Sequence, residues 1–328
     1  MTPSTSGHTP AYVQVRDALR ALALAQPLNS PDPLPPEGEL MRRFGVSRGT
    51  VRRATEDVVR EGLLSSEPGR GTFVVKQAQV RLLMRDVLTR IGLPDSRFHL
   101  DFSAFVPDFT GSARCHALLT ARPEYAAARL LFVAPDNSLQ RFTLACLGAG
   151  KRVLVPTYGM RRGLVLLDPA TIAPEHHEFA STLDGMERYG TVLDLEALSA
   201  LERVDLMVTG GIAFTTSGVH VGTGRAYLDL EWGILAELGL VTDSTSIVGV
   251  VHADQVLEAE VVPDRLDVVA DLIVTPEGVR PTPGQNRRPA GIAWDALDMA
   301  RLADIAYLAE LRTRAPAEIV LPLRGKRA

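Results

Sequence analysis

The chain has 328 residues, and at ~100–200 residues per domain that length predicts two or three domains. Hydrophobic residues are 46% and charged residues 23%, which excludes a mainly disordered chain. Two cysteines, Cys115 and Cys146, exclude a disulfide scaffold and a four-cysteine zinc site, and aromatics at 5% argue against a base-stacking platform.

No run approaches the ~18 uninterrupted apolar residues of a membrane span. The polar start, MTPSTSGHTP, lacks the basic and apolar regions of a signal peptide, so a cytoplasmic protein without a membrane partner is expected. The net charge of −4 divides unevenly: residues 1–76 hold 10 Lys/Arg against 8 Asp/Glu, and the rest hold 25 against 31. Six arginines fall within Arg42–Arg60, so that segment is expected to meet an anionic partner.

In chain order, residues 1–10 read as a flexible tail. Tyr12, Val15, Leu19 and Leu22 give Ala11–Ala25 a helical period. Five prolines within Pro27–Pro36 enforce a loop. Glu37–Phe44 is a short helix that Gly45 ends, and Ser47 can cap a second helix from Arg48 to Glu61. Leu63–Ser65 and Thr72–Val75 then read as a hairpin around Glu67-Pro-Gly-Arg-Gly71. Val80–Ile91 is a further helix, and the domain junction falls there.

Beyond it the pattern changes. Leu130–Ala134, Arg152–Pro156, Leu206–Gly210, Ile247–Val251 and Asp271–Thr275 are short apolar runs without alternation, as buried parallel strands are. Helical patterns at Arg114–Leu119, Leu139–Leu147, Leu195–Leu201 and Leu230–Leu238 intervene. The alternation predicts an open α/β sheet covered on both faces. Trp294–Arg312 reads as a final amphipathic helix. The expected organisation is a tail over 1–10, an α+β winged helix-turn-helix over 11–76, a linker helix over 77–92 and an α/β domain over 93–328.

The turn Phe44–Ser47 joining two short helices is a helix-turn-helix arrangement, whose second helix enters the major groove of double-stranded DNA. Arg grips guanine with two hydrogen bonds and hydroxyls bond phosphate or bases, which makes Ser47, Arg48, Thr50, Arg52 and Arg53 the candidate readers. Gly69, Arg70 and Gly71 form a wing tip whose backbone can approach a minor groove.

Leu34-Pro-Pro-Glu-Gly-Glu-Leu40, Gly45-Val-Ser-Arg-Gly-Thr-Val-Arg-Arg-Ala54, Glu61-Gly-Leu-Leu64 and Gly69-Arg-Gly-Thr-Phe-Val74 resemble the winged-helix domain of GntR-type transcription regulators. The resemblance covers residues 11–75. It implies a homodimer on a palindromic operator, with the Val-Ser-Arg helix in the major groove and the wing in the minor groove. Gly38 departs from the family, which carries a DNA-contacting Arg there, so the operator should differ from those of typical members.

In the larger domain, Gly222-Thr-Gly224 precedes a helix, where free N–H groups can cradle phosphate. A tight turn is the competing reading, and no dinucleotide fingerprint is present. Gly148-Ala-Gly-Lys151 fails as a P-loop, because Arg152 replaces the Ser/Thr and Ala145 the first glycine. Glu175-His-His-Glu178 reads as a solvated loop, His252 as a structural hydrogen-bonding group, and the two cysteines as packing residues.

Pro107–Gly111, Ala134–Ser138, Gly150–Pro156, Val204–Val208, Gly222–Asp229 and Val269–Pro276 together resemble the 5-formyltetrahydrofolate cyclo-ligase family, also called methenyltetrahydrofolate synthetase. The resemblance spans residues 81–312. It implies an open α/β sheet, ATP at the glycine loop, Mg²⁺ near its Asp, and a reduced folate alongside. Carried over, Gly222, Thr223, Gly224, Arg225, Tyr227 and Asp229 become nucleotide-site candidates, with Asp229 as the metal candidate. Asp136, Asn137, Tyr158 and Arg162 are candidates for binding the small molecule, the first two because they follow a strand's carboxyl end.

Ala226 replaces the loop's third glycine, Leu228 replaces a tyrosine, and no phosphate-binding Lys lies in Val80–Ile91. Arg81 or Arg85 supplies charge there but not the same shape. Three functions follow: a DNA-binding regulator whose second domain senses a folate, nucleotide or other phosphorylated effector; an ATP-dependent cyclo-ligase with an appended DNA-binding module; and a fusion whose second domain only dimerises. The preserved winged-helix motifs beside an eroded loop favour the first.

Overall fold

A computed structural model describes residues 10–95, 101–102, 105–259, 261, 263, 267–284, 288–297 and 303–314. The expected tail lies almost wholly outside them. The chain forms two compact units: Met1–Asp86 with Ala259–Val261, and Val87–Glu258 with Val262–Ala328.

In the first unit, α1 (Ala11–Ala25), α2 (Glu37–Phe44) and α3 (Arg48–Arg60) precede a hairpin of β1 (Leu64–Glu67) and β2 (Gly71–Val74). Val15, Leu19 and Ala23 of α1 join Leu40 of α2 and Val51, Ala54 and Val58 of α3 in one buried cluster. α2 carries Glu37 and Glu39 in its first turn and Arg42 and Arg43 in its last, each matching the helix dipole. Gly45 closes α2 in the left-handed conformation at φ 63, where glycine has no steric penalty. Ser47 then starts α3 by accepting the N–H of Thr50. The hairpin pairs Leu64 with Val74 and Glu67 with Gly71, and the Leu34 N–H donates to Thr72 O at 2.7 Å, tying the proline-rich loop to the wing. α4 (Lys76–Ile91) carries the chain from the first unit into the second.

The second unit opens with α5 (Ser112–Thr120) and α6 (Pro123–Ala127), followed by β3 (Leu130–Val133), α7 (Gln140–Gly148), β4 (Arg152–Pro156) and β5 (Leu164–Leu167). Next come α8 (His177–Ala180), α9 (Leu183–Tyr189), β6 (Thr191–Val192), α10 (Leu195–Ser199), β7 (Leu206–Thr209), β8 (Ala213–Thr215) and β9 (His220–Val221). The described elements end with α11 (Tyr227–Glu237), β10 (Ser246–Val250), β11 (Val256–Leu257), β12 (Leu272–Thr275), β13 (Gly278–Pro281) and α12 (Leu308–Arg314).

The main sheet runs β13-β12-β10-β7-β3-β4-β5-β6. Its five central strands, β12 to β4, are parallel, and β13, β5 and β6 are antiparallel additions. Alternate residues feed two buried clusters. Leu130, Phe132, Met207 and Ile247 join α10, α11 and α12 on one face; Leu131, Val133, Val208 and Val248 join α5, α7 and α9 on the other. Burial on both faces explains the absence of polar alternation in these strands. A small sheet, β11-β8-β9, stands apart.

Two sequence expectations are corrected. Trp294–Arg312 is not one helix: Trp294–Ala296 form a turn, and α12 begins only at Leu308. Tyr307 takes the left-handed conformation at φ 72, which a continuing helix forbids. Its hydroxyl accepts the Leu164 N–H and donates to Leu193 O, each at 2.7 Å. Residues 298–302, inside the predicted helix, lie outside the described residues. Glu175–Glu178 is helical rather than a loop, with His177 buried and its Nε2 at 3.0 Å from Ile172 O.

Candidate functional site

The face of α3 is built from its cap outward. Ser47 Oγ lies 2.9 Å from Thr50 Oγ1, so the two hydroxyls brace the first turn. Arg48 and Arg52 stand out into solvent, their side chains 70% and 63% exposed. Each reaches the Glu37 carboxylate only loosely, at 3.7 and 3.5 Å. Surface pairs of this kind hold weakly. Arg53 turns elsewhere: its guanidinium lies 4.2 Å from the centroid of the Tyr12 ring on α1. It therefore braces α3 against α1.

In the wing, Arg70 pairs with Glu67 across the turn and lies over the Phe73 ring at 5.6 Å. Gly69 and Gly71 take φ 76 and 129. A side chain on Gly71 would stand 3.0 Å from Pro33 Cβ, so the loop before α2 also demands that glycine.

In the second unit the strand order reverses between β3 and β7, the switch point where open α/β sheets bind ligands. Asp136 follows β3 and Gly210 follows β7, and the Gly210 N–H donates to Asp136 Oδ2 at 2.8 Å. Burial pushes the Asp136 carboxyl up to about 6, with the Gly210 hydrogen bond opposing. Asn137 donates to Asp95 Oδ2 at 2.6 Å. Asp136 and Asn137 line a cavity of about 20 Å³, room for one water.

The glycine loop leads into α11, which starts at Tyr227, one turn earlier than the apolar pattern indicates. Gly224 takes φ 93 and is exposed, as are Arg225 and Ala226. Ala226 is the N-cap residue at φ 52, ψ 35, and no side chain caps the helix. A glycine would adopt that conformation without steric cost, so the alanine here is a strained substitution. The uncapped first turn presents backbone N–H groups, so the loop fits a phosphate.

Asp229 Oδ1 accepts the Val268 N–H at 2.8 Å. Among the described residues no three His, Cys, Asp or Glu are grouped to hold a metal ion. The Tyr227 hydroxyl lies 3.3 Å from where a Cβ on Gly159 would stand, which brings segment 158–162 to the loop. Within that segment Tyr158 is half exposed, and Arg162 pairs with Glu187 at 2.6 Å. The cavity beside Asp136 has neither of these residues in its wall.

Two residues of this region escaped the sequence reading. His220 packs against Gly211 and Gly222, and a Cβ on Gly222 would come 2.8 Å from its Cε1. Gly222 is thus required by packing as well as by any ligand. Burial holds the His220 imidazole down to about 4. Glu231 is buried on α11, and burial, together with Asp136 and Asp229, pushes its carboxyl up to about 8. It shares the run Leu228–Leu235 with Asp229, so the sequence does not single it out.

Other motifs resolve as packing. Lys151 donates to Ala128 O at 2.7 Å. His252 Nδ1 accepts the Asp254 N–H while Gln255 closes a capping box. Both cysteines are buried.

A model of the 5-formyltetrahydrofolate cyclo-ligase family matches residues 90–276, more than half of the chain. The chain belongs to the 5-formyltetrahydrofolate cyclo-ligase family. A model of bacterial regulatory proteins, gntR family, matches residues 11–74, so this cyclo-ligase family member carries a GntR-type winged-helix DNA-binding domain at its amino-terminal side.

The chain is 31% identical to a methenyltetrahydrofolate synthase domain-containing protein of Danio rerio over 211 residues, covering 63% of this chain and 54% of that protein. It thus spans about half the length of that relative. The HTH-type transcriptional repressor NagR of Bacillus subtilis is 38% identical over 94 residues, 27% of this chain and 39% of that one. The solved 5,10-methenyltetrahydrofolate synthetase of Aquifex aeolicus matches at 18% identity and TM-score 0.40, covering 65% of this chain and 96% of that one.

Proposed function

We propose that this cyclo-ligase family member is a transcription regulator: the winged helix binds operator DNA as a homodimer, and the α/β domain senses a small molecule. The observation that carries the reading is the outward presentation of Arg48 and Arg52 on a capped α3, held only by long pairs to Glu37. Arg48 and Arg52 read bases, Ser47 and Thr50 meet phosphate, and Gly69, Arg70 and Gly71 approach the minor groove. Arg53 supports α3 from behind through Tyr12.

The effector is a nucleotide, a folate or another phosphorylated metabolite. Backbone N–H groups of Thr223, Gly224 and Arg225 and of the first turn of α11 take its phosphate, with Gly222 and Tyr227 shaping the loop. If ATP is the ligand, Mg²⁺ neutralises its phosphates; Asp229 would be its protein ligand, most of the rest coming from phosphate and water. Asp136 and Asn137 face the remainder of the ligand at the switch point, and Tyr158 and Arg162 stand by the loop.

Sensing is preferred to turnover because of the tip of the loop. Phosphoryl transfer requires fixed donors, and displacements of about 1 Å there cost rate heavily. Ala226 at φ 52, Leu228 in place of a tyrosine and the lack of the family's Lys all loosen that frame. The direct test is methenyl-tetrahydrofolate formation from 5-formyltetrahydrofolate and ATP, followed by absorbance. The reading predicts ligand binding with no turnover. Robust turnover abolished by Asp229→Asn would promote the cyclo-ligase instead.

A further inference from the structure

Among the described residues three that are not glycine take a left-handed backbone: Met160 at φ 54, Ala226 at φ 52 and Tyr307 at φ 72. They come from three segments far apart in sequence, and the loop 157–163 joins all three. Met160 is the loop's own, with its side chain buried in the core. Ala226 precedes Tyr227, whose hydroxyl lies 3.3 Å from where a Cβ on Gly159 would stand. Tyr307 closes over the far end of the loop. A side chain on Gly163 would overlap its ring, and its hydroxyl bonds the Leu164 N–H and Leu193 O, each at 2.7 Å. Beside it the Ala306 N–H donates to Met160 O at 3.0 Å. Tyr307 lies beyond residue 276, where the family match ends.

Strained backbone persists only where surrounding contacts force it, and it gathers at ligand clamps and switch regions. The loop is also closed on itself: the Thr157 N–H and hydroxyl both donate to Gly163 O, at 2.9 and 3.0 Å. It carries two cations. Arg162 is paired with Glu187. Arg161 is exposed, and among the described residues none pairs with it. Its Cγ lies 4.0 Å from the same point at Gly159 that the Tyr227 hydroxyl approaches, so its stem runs beside the first residue of α11. An uncommitted guanidinium next to the uncapped first turn of a helix is complementary to an anion. We propose that Tyr307 is a positioning residue for effector binding: its ring and hydroxyl hold the loop 157–163 against the glycine loop, and Arg161 thereby meets the anionic group of the effector. The inference rests on the sensing reading and names the residues that hold the ligand's charge. Phosphate and carboxylate share that chemistry, so the source is decided by measurement.

The experiment is calorimetry on the full chain with ATP–Mg²⁺, which offers phosphate, and with 5-formyltetrahydrofolate, which offers carboxylate. One of them binds the wild type. Tyr307→Phe, which removes the hydroxyl and keeps the ring, weakens that ligand about tenfold, and so does Arg161→Ala, the worth of one charge-assisted hydrogen bond. Arg161→Lys, which keeps the charge, restores most of the loss. The double variant Tyr307→Phe/Arg161→Ala binds no more weakly than either single one, because Tyr307 acts through the arginine. A merely structural tyrosine would lower the melting temperature and leave the effect of Arg161→Ala at full size. Wild-type affinity in either single variant, or losses that multiply in the double, overturns the assignment while ligand sensing stands. Should Tyr307→Phe fail to melt cooperatively, the exposed Arg161→Ala decides the matter: unchanged affinity overturns the assignment. Binding of neither ligand to the wild type overturns both.

Discussion

Arg53 lies over Tyr12, 4.2 Å from the ring centroid, and so joins the third helix to the first. Arg48 and Arg52, on the same helix, point into solvent. Adjacent arginines, Arg52 and Arg53, thus serve different ends. Arg53→Ala should lower the melting temperature modestly, by the ~0.5–1 kcal/mol of an exposed cation–π contact, and leave the salt dependence of DNA binding unchanged. Arg48→Ala should leave melting alone and cost ~1–3 kcal/mol of operator affinity. Thermal melts and anisotropy titrations on both variants separate the roles; a swapped outcome refutes the assignment.

The wing offers a second test. Arg70 is paired with Glu67, an interaction that DNA phosphate must displace. Glu67→Gln frees the arginine and should tighten binding. Arg70→Ala should weaken it and reduce the salt slope by about one released ion. A slope identical to wild type would remove the wing tip from the contact surface.

Acid stability follows from His220. Its imidazole is held down to about 4 by burial, against an ordinary value of 6.5. The unfolded chain therefore binds this proton first as pH falls. Stability from the neutral imidazole is intact above pH 6.5 and is lost progressively as pH falls toward 4. His220→Gln should flatten denaturant midpoints across that window. Parallel curves for the two proteins would show that His220 does not govern the acid limb.

Much of this architecture was readable from residues alone, because the signals were local. Ser47 after Gly45 marks a helix start, and β-branched runs such as Ile247–Val251 mark buried strands. β5, β6, β8, β9, β11 and β13 were not read: two to four residues carry no period, and their pairing depends on distant partners. The C-terminal helix misled because Trp294, Leu297, Ile305 and Leu308 are apolar for separate reasons. Trp294 donates to Glu237 at 3.0 Å, while Tyr307 breaks the chain's course to reach Leu164 and Leu193. At the candidate site, the sequence marked Asp136 and the glycine loop. It could not mark Glu231, whose burial only three dimensions reveal.

The cysteines provide a control on the core. Burial pushes both thiols up to about 12, far from the reactive thiolate range. Neither should react with a thiol reagent at pH 8 until denaturant is added. Rapid labelling of the native chain would show that the cluster around Phe142 opens readily.

A regulator of this build must couple a ligand to an operator through one chain. The most direct measurement selects a duplex from random sequence with the full chain, then follows its affinity by anisotropy with and without ATP–Mg²⁺ or 5-formyltetrahydrofolate. The expected result is a palindromic site with half-sites about one helical turn apart, and an affinity that shifts ~5–150-fold with one of these ligands. Selection of no preferred sequence, or an operator affinity indifferent to a ligand that calorimetry shows to be bound, would contradict it.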